Sequence, residues 1–203
     1  MANRITYYTS ESGKSLKNIF LEQYSDFRNW MFDCPNIYED FHLKEVLFLE
    51  SIQFLEENEK IENLQNIDKF VIDDLIKVFI DTYCDFGPGE NLFIMRPPFV
   101  YVSEYIFATK LIEERCDKET ISLWNILLNG RTIKDDSDFT FEELKIGFWT
   151  HDEQSYLREN LESVFGKKQD LYNSEESFFG IINVLQILEG TDGEDKEIVI
   201  YQA

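Results

Sequence analysis

The chain has 203 residues, of which 43% are hydrophobic and 15% aromatic, and its 40 Asp and Glu against 19 Lys and Arg give a formal charge of −21. Such apolar content excludes a disordered acidic tail, and a chain of this length buries roughly 70% of its unfolded surface, so it needs no disulfide. A field of this sign repels phosphate backbones and anionic lipid, which argues against nucleic-acid and membrane partners and for a basic protein; the bland alternative is acids that keep an apolar chain soluble.

Cys34, Cys84 and Cys116 are odd in number and form no CxxC pair, a pattern of free thiols in a reducing compartment. Residues 1–8 lack the basic and apolar regions of a secretory signal, and no stretch approaches 18 apolar residues, so a cytoplasmic location is expected.

In chain order, Arg4 to Tyr8 (RITYY) reads as a short strand, matched at the other end by IVIY from Ile198 to Tyr201. Neither is stable alone, so the expected fold is α+β and predominantly helical, with a small sheet involving the two terminal strands. Leu16, Ile19, Phe20, Phe27, Trp30 and Met31 share a face of a first helix, ended by Pro35. From Asp40 to Asn58 the apolar residues fall on more than one side, which predicts a central helix. A third helix spans Ile67 to Tyr83, with Asp73, Asp74, Lys77 and Asp81 mostly away from its apolar stripe.

DFGPGENLFIMRPPF at 85–99 reads as a loop with room for a short strand, because its glycines and prolines do not all fit a regular helix. Ser103 or a neighbour caps a helix carrying Ile106, Phe107, Leu111 and Ile112, and a shorter helix with Trp124 ends at Gly130. Thr140 with Glu143 has capping-box spacing for a short helix that Gly147 curtails, and Thr150 with Glu153 repeats the spacing for a helix ending at Gly166. Ser174 caps the last helix, ended by Gly190. No polar linker divides these elements, so residues 1–203 are read as one domain.

Catalytic signatures are absent from the sequence: there is no HExxH, GxSxG, GxGxxG or GxxxxGK[ST] pattern. His42, flanked by Glu39 and Glu45, reads as a hydrogen-bonded or ion-paired histidine, and His151 in THDE sits at a helix start where the acids already serve as caps. The acidic runs 135–138 and 192–195 lack EF-hand spacing and read as solvated loops. Arg96 before Pro97 reads as a local ion pair, and Glu56, Glu57, Glu113 and Glu114 as solvated helix faces. No catalytic, cofactor or metal residue is assigned.

GFWTHDEQSYLRENL at 147–161 and GIINVLQILEGTDGEDKEIVIY at 180–201 resemble small uncharacterised bacterial domains that pack helices against short strands. The resemblance implies an immunity or accessory role and transfers no active site. Together with the charge it leads to the expectation of an acidic protein-binding module, an immunity-type inhibitor of a basic partner. Two alternatives are a small hydrolase or transferase assembled around 85–99 and His151, and an oligomerising domain using Phe99, Tyr101, Phe148 or Trp149. The expected partner-binding residues are Asp135, Asp136, Asp138, Glu142 and Glu143, with Asp152 and Glu153 nearby, because carboxylates on a capped turn project from a fixed scaffold.

Overall fold

A computed structural model describes residues 4–10, 13–33, 45–84, 87–90, 92–131, 145–172, 178–191 and 196–202. The terminal runs pair directly: β1 (Arg4–Ser10) and β4 (Ile198–Gln202) are antiparallel, with Tyr7 opposite Ile200, and form the middle of a four-stranded sheet. β2 (Phe93–Tyr101) flanks β1 and β3 (Lys145–Trp149) flanks β4. The fold is α+β and mainly helical, as the terminal strands imply.

Strand alternation divides the helices between two layers. Tyr8, Ile146, Phe148, Val199 and Tyr201 point to one face, packed with α1 (Leu16–Asp33), α2 (Glu45–Glu57) and α3 (Lys69–Val78). Ile5, Tyr7, Trp149, Ile198 and Ile200 point to the other, under α4 (Val102–Arg115), α5 (Lys118–Asn129), α6 (His151–Phe165) and α8 (Phe179–Gly190). α7 (Lys168–Leu171) is a short connector before α8.

β2 takes up 93–99 of the loop expected at 85–99, a longer strand than the short one allowed for there. Its pairing shifts from Ile5 opposite Val100 to Tyr7 opposite Arg96, so three residues of β2 face one of β1. Pro97 and Pro98 lie within that bulge on an edge strand, where a missing N–H costs no ladder bond. The preceding glycines have a packing reason. The third helix passes into a π-helical turn at Phe79–Cys84, and Gly89 N–H donates to Tyr83 O at 3.0 Å; a Cβ on Gly89 would stand 2.5 Å from the Tyr83 ring. GPG thus closes over Tyr83, whose ring meets Phe27, Trp30 and Phe79, with Phe20 packed in turn on Phe27 and Phe79.

Four expectations need correction. α2 is a surface helix rather than a central one: Leu49, Glu50, Gln53, Glu56 and Glu57 form an exposed face opposite buried Ser51 and Leu55. On α3, Asp73 and Asp74 are only 4% and 5% exposed, because residues 71–76 are buried around the helix; Lys77 pairs with Asp74 at 3.5 Å. α4 turns Tyr105, Ala108 and Ile112 inward and leaves Ile106 and Phe107 exposed. Lys145–Trp149 is a strand where the helix from Thr140 was expected to end; Thr140 and Glu143 lie outside the described residues.

Candidate functional site

The start of α6 organises the best-defined polar region. Thr150 caps it: Thr150 Oγ1 accepts from Glu153 N–H at 3.4 Å, and Glu153 Oε2 accepts from Thr150 N–H at 2.9 Å, the reciprocal pair expected from the sequence. The same carboxylate receives Arg131 Nη1, 2.8 Å from both oxygens. Arg131 lies over the Phe148 ring at 4.7 Å, and its backbone N–H donates to Ile146 O at 2.7 Å, which occupies a carbonyl of edge strand β3.

Gln154, one residue on, is buried and fully used. Its amide donates to Trp149 O at 3.0 Å and Lys196 O at 2.6 Å, and its oxygen accepts from Thr191 Oγ1 at 2.9 Å. The end of β3, the end of α8 and the approach to β4 are thereby joined to the first turn of α6. Glu197 then reaches the opposite layer, where its Oε2 accepts from Leu16 N–H at 2.8 Å and caps α1.

Between these points lies a cleft of about 270 Å³ lined by Ser15, Thr150, His151, Asp152, Lys196 and Glu197, with Gly13 at its margin. Ser15 Oγ accepts from Asn18 N–H at 3.2 Å, so Ser15, Thr150 and Glu197 all serve helix termini. His151 lines the cleft, and its buried Nδ1 makes no hydrogen bond. Hydroxyl, imidazole, ammonium and carboxylate groups converge here from three chain regions.

Of the expected partner-binding residues, Asp135, Asp136, Asp138, Glu142 and Glu143 lie outside the described residues. Asp152 is exposed at the cleft, whereas Glu153 turns inward to Arg131 and the cap. Ser15, Lys196 and Glu197 were not singled out from sequence; 181 positions separate Leu16 from Glu197, and no local motif links them. Phe148 and Trp149 are core residues, and Trp149 Nε1 donates to Leu123 O at 3.0 Å. Tyr101 is exposed, and the Phe99 side chain is outside the description.

Arg96 donates through Nε to Thr9 Oγ1 at 2.8 Å. Cys84 is buried, and the half-buried Cys116 thiol is pushed up by burial and by neighbouring Asp117, which disfavours the nucleophilic thiolate. Cys34, His42 and the acids at 192–195 fall outside the described residues. Among the described residues, no group of three or more His, Cys, Asp or Glu is placed to hold a metal ion, and no helix is long and apolar enough to cross a membrane. No family model, curated protein or solved structure matches the chain.

Proposed function

We propose that the chain is an acidic protein-binding module, in the manner of an immunity-type inhibitor, that holds a basic protein partner. The observation that carries this reading is a formal charge of −21 on a chain with two extensive apolar cores. A folded acidic surface accelerates encounter with a cationic partner and disfavours anionic competitors. Glu50, Glu56 and Glu57 on the outer face of α2, followed by exposed Glu59 and Glu62, supply part of that surface. The acids at 135–138 and 142–143, together with Asp152, are the residues proposed for recognition. The test is recovery of a specific basic protein from native extract at low salt, followed by stopped-flow association across ionic strength. The expected association rate falls as salt rises; a tight specific partner whose on-rate ignores salt overturns the reading.

The cleft supports a second reading, a small hydrolase or transferase, because Ser15, His151, Asp152 and Glu197 line one cavity. Its test is a screen of ester, amide and phosphoester substrates with wild type and His151→Ala. Turnover abolished by His151→Ala in a folded variant supports catalysis at the cleft; turnover unchanged by that substitution removes it.

A further inference from the structure

We draw no further inference here: the strongest candidate, the polar cleft where the N-termini of α1 and α6 meet the approach to β4, belongs to the site already described, and its helix ends and acids come with no second observation that points to a ligand.

Discussion

Glu153→Ala tests whether the buried corner at α6 holds the second helical layer to the sheet. The substitution removes both carboxylate contacts to Arg131 and the acceptor for Thr150 N–H, while the guanidinium stays over Phe148. Two charges about 4 Å apart interact by roughly 4 kcal/mol at an effective dielectric near 20. The pair is unevenly shielded, with side-chain exposures of 9% for Arg131 and 24% for Glu153, so water reaches the vacated site and recovers part of the loss. A retained pair contribution of about 2 kcal/mol, with about 1 kcal/mol for the capping box, gives an expected destabilisation of roughly 3 kcal/mol.

Equilibrium urea unfolding of wild type, Glu153→Ala, Arg131→Met and the double variant measures this directly. The double variant should lose less than the sum of the two single variants, because either substitution alone already removes the Arg131–Glu153 contact, and the coupling should exceed about 1 kcal/mol. A single-variant loss below about 1 kcal/mol with coupling near zero refutes the assignment and returns Glu153 to the set of acids available for recognition.

Gly89→Ala should destabilise by about 1–3 kcal/mol in the same assay, because its Cβ meets the Tyr83 ring at 2.5 Å, whereas Gly190→Ala, with no atom within 4 Å, should be neutral or stabilising by up to about 1 kcal/mol. Tyr105→Phe should raise stability by roughly 1 kcal/mol, since the fully buried hydroxyl has no hydrogen-bond partner; a loss of similar size in urea would show that this hydroxyl is satisfied in solution. Burial pushes the Tyr24 phenol up to about 12, with Arg28 partly opposing, and holds Tyr105 well above 10. Unfolded phenols ionise near pH 10, so above that pH the native state binds more protons and stability declines as pH rises, by up to about 1.4 kcal/mol per pH unit for each tyrosine. Thermal unfolding from pH 9 to 11 should show a decline that Tyr24→Phe with Tyr105→Phe flattens.

What was legible in the sequence was local. RITYY and IVIY announced strands, and Thr150 with Glu153 announced a helix start, because side-chain type and spacing determine these over a few residues. PPF at 97–99 was not legible as strand, since a bulge and an edge position set by β1 make two prolines tolerable. On α4 the apolar residues outnumber the inward positions, so periodicity did not reveal that Ile106 and Phe107 face out while Tyr105 and Ala108 face in. Asp73 and Asp74 looked solvent-facing for the converse reason: helical period assigns a face but not what lies against it. The cleft was least legible, because Leu16 meets Glu197 and Gln154 meets both Thr191 and the Lys196 carbonyl only through the sheet closed by the two termini.

These placements bear on how a charge of −21 can be used. Glu153, Glu197, Asp68 and Asp117 serve caps or internal partners, yet each still contributes to the long-range field, so capping removes them from contact without removing them from steering. Asp152 and Glu153 separate the two roles within one helical turn. Asp152→Asn and Glu153→Gln each remove one negative charge from the same place, so a partner attracted by the field alone should associate with both variants at nearly the same rate, within about 1.5-fold of wild type. If exposed Asp152 touches the partner, Asp152→Asn alone should speed dissociation by about threefold or more with no change in urea midpoint, while Glu153→Gln should lower the midpoint and leave dissociation near its wild-type value. Matching dissociation rates for the two variants would remove Asp152 from the contact surface; faster dissociation for Glu153→Gln alone would place the capped carboxylate in recognition despite its inward hydrogen bonds.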